Sequence, residues 1–358
     1  MNGLNHIKFS LLCVGLLFCG TAQCGEQATA PKKVDGVVRL EGTPAEIGRW
    51  HGRLLADGIR VMIGEYVAKD VEDGKLNATM LSRINKMKPS LPDWYMEELR
   101  ACAKAVGIDE DVLLYAQCEG DIKSVGACTT YVAFGEATHD GGMEIGRNLD
   151  YWGLDSTDRV AIVLAVVPKP EDGYAFVSVG WTGILGGWTF FNEKGLFVAN
   201  NLGGFNRKNP KGIPTLILER IVAQKAATVE EAIAMIKKLP RMRGQALVIG
   251  QVGDAAKGVK PDAAVVLYDA EQVDVTRHTK GFAFHTSIGT DRDRLVEILK
   301  QKRRKPITAI KWAGNRITLH SVAIRPQEWS MWVAHGRKPS AHLGKYVRHD
   351  IRSLLKRK

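Results

Sequence analysis

Residues 126–150 read GACTTYVAFGEATHDGGMEIGRNLD, and this stretch decides the fold of the chain. Thr129–Phe134 is a β-rich run, Asp140-Gly141-Gly142 is a turn signal, and Met143–Leu149 is a second β-rich run. Two such runs on either side of a glycine turn are typical of a β-hairpin. The stretch therefore predicts two neighbouring antiparallel strands.

The predicted hairpin brings three reactive side chains together. With the turn centred near Asp140–Gly141, Asp150 lies opposite the neighbourhood of Thr130, and Arg147 lies a few residues further in. The thiol of Cys128, at the mouth of one strand, thus meets a guanidinium and a carboxylate on the other strand.

This grouping suits nucleophilic catalysis by Cys128. A free cysteine has a pKa of about 8.5, and a nearby arginine lowers it because the positive charge favours the thiolate. Arg147 keeps its proton and is a fixed positive partner. If the Ala127–Cys128 bond is cut, Cys128 gains an α-amino group with a pKa of about 7.7–8, which is a usable general base. Asp150 would hold that amine. The simpler interpretation is a core cysteine beside an ordinary ion pair.

Outward from the hairpin, the chain differs between its first third and the remainder. The first third is mostly helical: Thr43-Pro44-Ala45-Glu46 predicts a capped helix start, and further helices are predicted over 92–106 and 109–117. The remainder runs through strands, then two helices, then strands again, which indicates an α+β fold with helices segregated from an antiparallel sheet. The predicted elements are strands over 160–167, 174–179, 188–191, 195–200, 246–250, 263–268, 317–324 and 330–333, and helices over 214–225, 228–238 and 291–302.

The N-terminus predicts export. Lys8 is followed by an apolar run from Phe9 to about Phe18 and then by small residues, as in a signal peptide, and the run is too short for a stable membrane span. Residues 1–24 are therefore predicted to be a signal peptide for a periplasmic or secreted protein. Attachment of lipid at Cys24 is the less favoured alternative, because the residues before it fit a lipoprotein signal poorly.

The mature chain would keep three cysteines, namely Cys102, Cys118 and Cys128. An odd number in an exported protein leaves at least one thiol free. Cys102 and Cys118 either pair or serve as small core residues, so one thiol needs an explanation in both cases.

Charge and motifs exclude several functional classes. The net charge of +11 comes largely from the runs Lys302–Lys305 and Lys356–Lys358, without interleaved aromatic residues or a nucleic-acid-binding motif. No Cys-x-x-Cys pair, His-Glu-x-x-His motif or phosphate-binding loop occurs. We therefore expect no nucleic-acid partner, no metal and no cofactor.

Cys128-Thr129-Thr130, followed by a hairpin and Gly-Arg-Asn-Leu-Asp at 146–150, resembles the cysteine N-terminal nucleophile (Ntn) hydrolases. The sequence is most similar to the acyl-coenzyme A:6-aminopenicillanic acid acyltransferase family, with acid ceramidase and choloylglycine hydrolases as more distant relatives. Supporting similarity lies in the stretches 40–52, 191–196, 318–322 and 333–336.

The resemblance implies a four-layer αββα sandwich of antiparallel sheets, preceded by a mostly helical pro-segment over 25–127 that autocatalytic cleavage would separate from the domain over 128–358. It implies Cys128 as nucleophile, with Arg147 and Asp150 around it. Asn201 stands where the family has an oxyanion-hole asparagine, and the neighbouring Asn200 stays an alternative; the simpler interpretation of each is a strand-end turn residue.

The sequence departs from the family pattern in one region. Relatives often carry Thr-Asn-His before a late Ser-x-x-Arg helix, whereas this chain reads Ala283-Phe284-His285-Thr286-Ser287 and then Asp291–Arg294. The missing asparagine leaves the leaving-group side of the site undetermined, so no role is carried over to His285 or Arg294.

Three functional hypotheses follow. The first is a hydrolase that cleaves an N-acylated small molecule through a Cys128 thioester; hydrolysis is favoured over acyl transfer because acyl-coenzyme A is scarce outside the cell. The second is a secreted binding protein that has lost catalysis. The third is a Cys–His hydrolase that uses His285 or His320 without self-cleavage. Trp152, Trp181 and Trp188 either line an acyl pocket or belong to the core. A heterodimer of the self-cleaved parts and a homo-oligomer both stay open.

Overall fold

Two β-sheets that pack face to face form the centre of the fold, with helices on both outer sides. The computed structural model describes residues 33–34, 36–123, 126–254, 256 and 258–357. The predicted signal peptide, residues 1–24, lies outside these residues.

The six-stranded sheet carries the predicted hairpin at its centre. Its strand order is β14-β5-β6-β15-β16-β17, and every pair in it is antiparallel. Its strands are β5 (Ala127–Gly135), β6 (Gly141–Asp150), β14 (Phe282–Thr286), β15 (Thr318–Arg325), β16 (Ser330–His335) and β17 (Val347–Asp350).

The second large sheet has nine strands and follows the order β1-β2-β7-β8-β9-β10-β11-β12-β13. Its strands are β1 (Lys33–Val34), β2 (Val37–Gly42), β7 (Ala161–Pro168), β8 (Phe176–Trp181), β9 (Thr189–Asn192), β10 (Leu196–Asn201), β11 (Gln245–Gln251), β12 (Asp262–Tyr268) and β13 (Val273–Arg277). A separate short pair consists of β3 (Val71–Glu72) and β4 (Lys75–Leu76).

Helices dominate residues 44–123 and then recur between the strands. They are α1 (Pro44–Tyr66), α2 (Ala78–Met87), α3 (Asp93–Val106), α4 (Glu110–Ala116), α5 (Glu119–Lys123), α6 (Thr157–Val160), α7 (Thr215–Lys225), α8 (Val229–Lys238), α9 (Arg292–Leu299), α10 (Thr308–Trp312) and α11 (Ile351–Leu355). None of the helices in the described part of the chain is long and apolar enough to cross a membrane.

Three apolar layers hold these elements together. Val132, Val163 and their neighbours fill the space between the two sheets. Leu295 and Ile310 pack α9 and α10 onto the outer face of the six-stranded sheet. The largest cluster packs α1, α3, α7 and α8 against the outer face of the nine-stranded sheet. The α+β class and the αββα layering predicted for the chain are confirmed.

Local sequence signals explain where the main helices begin. The Thr43 hydroxyl accepts from Glu46 N at 3.3 Å, and the Glu46 carboxylate accepts from Thr43 N at 2.8 Å, which is the predicted capping box of α1. The Thr228 hydroxyl likewise accepts from Glu231 N at 3.1 Å at the start of α8. These bonds satisfy N–H groups that a helix start otherwise leaves without partners.

One strand pairing departs from the expectation of purely antiparallel sheets. β2 pairs with β7 in parallel, with Val38 opposite Leu164. Parallel neighbours need a long connection; here it runs through α1–α5 and the hairpin. Since β2 precedes Ala127, the predicted pro-segment contributes a strand to the main sheet.

Candidate active site

A cleft opens at the end of the two sheets where β5 begins and β10 ends. Its empty volume, including the part that is open to solvent, is about 550 Å³. Cys128 lines it from the six-stranded sheet, and Asn200 and Asn201 line it from the nine-stranded sheet. Gln117 and Asp121, from the helical region before Cys128, also line the cleft.

The hairpin forms as predicted, but its register is shifted from the expected one. Asp150 pairs with Ala127, and Arg147 pairs with Thr130. The shift arises because the chain reverses over residues 136–140, between Gly135 at φ 56° and Gly141 at φ 73°, instead of in a tight turn centred on Asp140–Gly141. The observed register places Asp150 closer to Cys128 than the sequence-based register does.

Cys128 is held in a mostly apolar setting, with 5% of its surface exposed. Burial raises the pKa of its thiol above the ordinary value. The charge and hydrogen bond of Arg147 and the backbone N–H of Asp150 act in the opposite direction, while the carboxylate charge of Asp150 adds to the rise. The uncut chain therefore holds a protonated thiol that needs a base nearby for activation.

Arg147 lies behind the cleft wall and is fully buried. Its Nη1 donates to the carbonyl of Asn148, and its Nη2 donates to Asn200 Oδ1 at 3.5 Å. Its Nε has no hydrogen-bond partner. Burying a guanidinium with an unpaired N–H costs free energy. Because this N–H has no partner within the chain, it is available to stabilise negative charge beside the thiol.

Asp150 is also fully buried, and only one of its two carboxylate oxygens is used. Thr318 Oγ1 donates to Asp150 Oδ1 at 2.7 Å, while Oδ2 has no partner. Burial raises the pKa of this carboxyl, and the hydrogen bond from Thr318, the polar side chain of Asn315 and the charge of Arg147 act against the rise. The unpaired oxygen can accept a hydrogen bond from a donor such as an amine.

The two asparagines that the sequence leaves as alternatives differ in their contacts. Asn201 Oδ1 accepts from Thr130 Oγ1 at 3.1 Å, which fixes the amide, and its Nδ2 has no partner. Asn200 instead accepts from Arg147 through its Oδ1. Asn201 thus offers an unused N–H donor at a residue that lines the cleft, which is what an oxyanion site requires.

Ser287 contacts the backbone of Cys128 directly, and no sequence motif indicates this. Cys128 N donates to Ser287 Oγ at 2.8 Å, and Ser287 N donates to Cys128 O at 2.9 Å. The contact depends on the pairing of β14 with β5, over 150 residues apart in sequence, which only the folded chain reveals.

Aromatic rings form the apolar wall of the cleft. Trp181 is central, with ring centroids 4.5 Å from Trp188, 5.4 Å from Tyr66 and 5.7 Å from Tyr151. Trp181 and Trp188 thus line the cleft, whereas Trp152 is 58% exposed and is not part of its wall.

The helical region before Cys128 holds this wall in place. Gln117 Oε1 accepts from Leu185 N at 2.8 Å and from Gly186 N at 3.2 Å. His51 Nε2 accepts from Gly183 N at 3.0 Å. Both side chains bind the connection between β8 and β9, from which Trp181 and Trp188 extend. Gln117 belongs to no motif that the sequence alone singles out, whereas His51 lies in the stretch 40–52 that supports the family resemblance.

The remaining predicted candidates lie apart from the thiol. His320 is buried between the sheets, with its Nε2 3.1 Å from Thr189 Oγ1, and does not line the cleft. His285 lies on β14 opposite Thr130 and does not line the cleft either. Arg294 is exposed on α9 and pairs with Glu297 at 2.7 Å.

Cys102 and Cys118 are free, buried core residues and do not pair with each other. Burial raises the pKa of both thiols, so neither competes with Cys128 as a reactive thiol. Within the described residues, no group of three His, Cys, Asp or Glu side chains is arranged to hold a metal ion.

Residues 137–286 match the model of the acyl-coenzyme A:6-aminopenicillanic acid acyl-transferase family. The match contains Arg147, Asp150, Asn200 and Asn201 and begins nine residues after Cys128. The family resemblance predicted from the sequence is confirmed over this part of the chain. An uncharacterized protein of Archaeoglobus fulgidus is 24% identical over 268 residues, which are 66% of this chain and 44% of that relative. The chain thus spans less than half the length of that curated relative.

Two solved structures are similar to the chain. The N-acylethanolamine-hydrolyzing acid amidase ortholog of Caenorhabditis elegans is 16% identical, with a TM-score of 0.43 over 56% of this chain and 93% of that one. Penicillin V acylase of Agrobacterium tumefaciens is 14% identical, with a TM-score of 0.38 over 62% of this chain and 91% of that one. Because both TM-scores are below 0.5, the fold of this chain is assigned from its own sheet order.

Proposed function

We propose that this chain is an exported Ntn amidohydrolase that cuts itself before Cys128 and then hydrolyses the amide bond of an N-acylated small molecule. The observation that carries the proposal is the set of unused polar atoms around one thiol: Arg147 Nε, Asp150 Oδ2 and Asn201 Nδ2 are all buried without partners. Buried atoms without partners also occur elsewhere in the described chain, for example at Glu219 and His335, but here three of them surround a thiol that lines a cleft, where a substrate could complete their hydrogen bonds.

Self-cleavage would begin with attack of the Cys128 sulfur on the Ala127 carbonyl carbon. The C–S bond forms, the Ala127–Cys128 C–N bond breaks, and the thiol proton ends on the nitrogen. Water then attacks the thioester, which releases Ala127 as a carboxylic acid and regenerates the thiol. The product carries a free α-amine on Cys128.

Hydrolysis of substrate would use that amine as the base. The amine takes the thiol proton, and the thiolate attacks the amide carbonyl carbon. Asn201 Nδ2 donates to the developing oxyanion, while Arg147 stabilises negative charge beside the sulfur. The C–N bond breaks as the leaving amine takes the proton from Cys128. Water then hydrolyses the thioester, and the acid departs.

The walls of the cleft support a small acylated amide as substrate. The aromatic side, built around Trp181, suits an apolar acyl group. The polar groups Asp121, Thr215 and Gln245 line the cleft as well and suit the polar part of such a molecule. Acyl transfer to a second amine uses the same thioester and is the alternative outcome.

The experiment that tests this proposal is N-terminal sequencing and intact-mass measurement of the purified protein beside Cys128→Ala. A new terminus that reads Cys-Thr-Thr-Tyr, absent from the variant, together with hydrolysis of N-acyl amides at least about 10⁴-fold faster than by Cys128→Ala, is expected. Cys118→Ala is the matched control, because it removes a buried thiol outside the cleft and is expected to cut itself normally.

The other outcomes separate the competing hypotheses. A chain that stays uncut and leaves Cys128 unreactive to iodoacetamide would favour a binding protein. An uncut but active chain that loses activity in His285→Ala or His320→Ala would favour a Cys–His hydrolase. Product formation only in the presence of an acyl donor and an acceptor amine would favour acyl transfer.

A further inference from the structure

The backbone nitrogen of Cys128, which belongs to the bond that would be cut, donates to a side chain. In an antiparallel strand pair, a backbone carbonyl would ordinarily accept this hydrogen bond. From Phe282 to Thr286, β14 pairs with β5 residue by residue, ending at Thr286 opposite Thr129. One position further, Ser287 N still donates to Cys128 O at 2.9 Å. Cys128 N, however, donates to the Ser287 hydroxyl at 2.8 Å.

The hydroxyl of Ser287 is fixed by contacts on both sides of Cys128. Its Oγ lies 3.2 Å from Cys128 O, to which it donates its hydrogen, so that a lone pair faces Cys128 N. Ser287 itself is exposed, whereas Cys128 is buried. The hydroxyl therefore connects the reacting nitrogen with solvent at the open edge of the six-stranded sheet.

We propose that Ser287 is a catalytic residue that binds the Cys128 nitrogen in both stages of the reaction. In self-cleavage this nitrogen is the leaving group, and in substrate hydrolysis it is the general base. This inference rests on the proposed function, because only a cut chain has a free amine at Cys128.

In self-cleavage, the nitrogen must gain one proton as the Ala127–Cys128 bond breaks. The attacking thiol supplies that proton, and the Ser287 oxygen accepts the original N–H throughout, so the departing nitrogen stays in position. In the cut chain, one N–H of the amine points to Ser287 Oγ. The lone pair is then free to face the thiol of its own residue.

Ser287 would also change the pKa of the Cys128 amine in the cut chain. A hydroxyl oxygen that accepts from the amine favours the ammonium form and so keeps its pKa higher. The other titratable or charged groups at this end of the molecule include Arg147 and Asp150 on β6, Asp121 on α5, His285 on β14, and Tyr66 and Tyr151 in the wall of the cleft. They stay unchanged when Ser287 alone is replaced.

The test compares Ser287→Ala and Ser287→Thr with wild type, and uses Thr290→Val as matched control. Thr290 contacts the hydroxyls of Thr129 and Thr286 at the same sheet edge but not Cys128. The rate of self-cleavage is followed by mass spectrometry on the full chain. The kcat and KM for an N-acyl amide are then measured on the cut protein, together with the pH dependence of kcat/KM on its acid side, which reports the pKa of the general base.

Ser287→Ala is expected to slow self-cleavage by about 10-fold or more, the loss of one well-placed hydrogen bond to a reacting group. In the cut protein the acid-side midpoint of kcat/KM falls by about half a unit to one unit, and kcat falls with KM unchanged. Ser287→Thr restores most of each value, and Thr290→Val behaves as wild type.

Two results would overturn the inference. One is a Ser287→Ala chain that cuts itself and turns over substrate with the wild-type rate and pH midpoint. The other is an equal loss in Ser287→Ala and Thr290→Val together with an equal fall in melting temperature, since that pattern means support of the sheet edge only. A wild-type chain that stays uncut would instead defeat the proposed function, whatever the Ser287 variants do.

Discussion

Two buried polar clusters of the molecule use their hydrogen-bonding groups in opposite ways. In the first, here called the Glu98–Arg220 cluster, Arg220 Nη2 donates to Glu98 at 2.7 Å, Nη1 donates to Leu185 O at 2.7 Å, and Nε donates to Gln224 at 2.9 Å. The rings of Phe176 and Trp94 flank the guanidinium. Every one of these polar groups has a partner.

The second, the Cys128 cluster, consists of Cys128, Arg147, Asp150 and Asn201. It is equally buried, yet the last three residues each keep one polar atom without a partner. Leaving such an atom unpaired costs about 1–3 kcal/mol. The Glu98–Arg220 cluster therefore joins α3 to α7 and stabilises the fold. Under the proposed function, the Cys128 cluster gives up stability for groups that a substrate would engage.

The largest effect is expected from Glu98→Ala. It leaves the Arg220 guanidinium buried without its carboxylate, so the free energy of unfolding should fall by about 3–5 kcal/mol. Urea unfolding of the Cys128→Ala chain measures this, because an uncut chain unfolds in one piece. Glu97→Ala, on the exposed face of α3, is the control and should change little. An unchanged free energy of unfolding would show that the cluster does not stabilise the fold.

Asn201→Ala should have the opposite profile. It removes the unused Nδ2 donor, so kcat for amide hydrolysis should fall about 10²–10³-fold. The free energy of unfolding should change by less than about 1 kcal/mol, because the loss of the unsatisfied Nδ2 offsets the loss of the hydrogen bond from Thr130. Kinetics on the cut protein and urea unfolding in the Cys128→Ala background test both parts. A larger loss of kcat in Asn200→Ala would move the oxyanion role to Asn200.

Part of the pH dependence of stability should come from His51, beside the Glu98–Arg220 cluster; burial also lowers the pKa of His320 and His335, which contribute in the same direction. Burial and the charge of Arg220 lower the pKa of His51 from 6.5 to about 4. The folded chain therefore keeps His51 neutral where the unfolded chain protonates it, so stability present above pH 6.5 is lost as the pH falls towards 4, by about 3 kcal/mol. Urea unfolding at pH 7 and pH 4.5 should show a flatter dependence in His51→Gln.

The matched control for that dependence is His139→Gln, at an exposed position. It should keep the wild-type slope of stability against pH. Equal slopes in wild type and His51→Gln would show that other groups cause the acid sensitivity.

The smallest effect is expected from Thr130→Val. It removes the hydroxyl that fixes the amide of Asn201, and the loss of one such bond corresponds to about 1 kcal/mol, or a kcat about fivefold lower. Thr129→Val removes a hydroxyl from the opposite face of β5, where it contacts Thr286 and Thr290. Steady-state kinetics should separate the two, and equal losses would indicate a general effect on β5.

Local sequence was sufficient for many of the elements, but β2, β13, β14, β17 and α2 were not predicted. The β-rich runs of the chain predict strands that lie within about two residues of those observed, because alternation and flanking glycines are local signals. The hairpin spanning 126–150 alone indicates that Cys128, Arg147 and Asp150 lie together. Its register was predicted wrongly, since the length of a loop is not encoded by the glycines that bound it.

The sequence by itself determined the α+β class, the capped start of α1 and the hairpin, and it singled out Cys128 as the proposed nucleophile. Only the tertiary structure decided which polar atoms are left without partners, that β2 joins the nine-stranded sheet, and that Ser287 binds the nitrogen of Cys128. The physical reason is distance along the chain: helix caps and hairpins join residues a few positions apart, whereas the contact between Cys128 and Ser287 spans 159 residues and exists only when β14 completes the sheet.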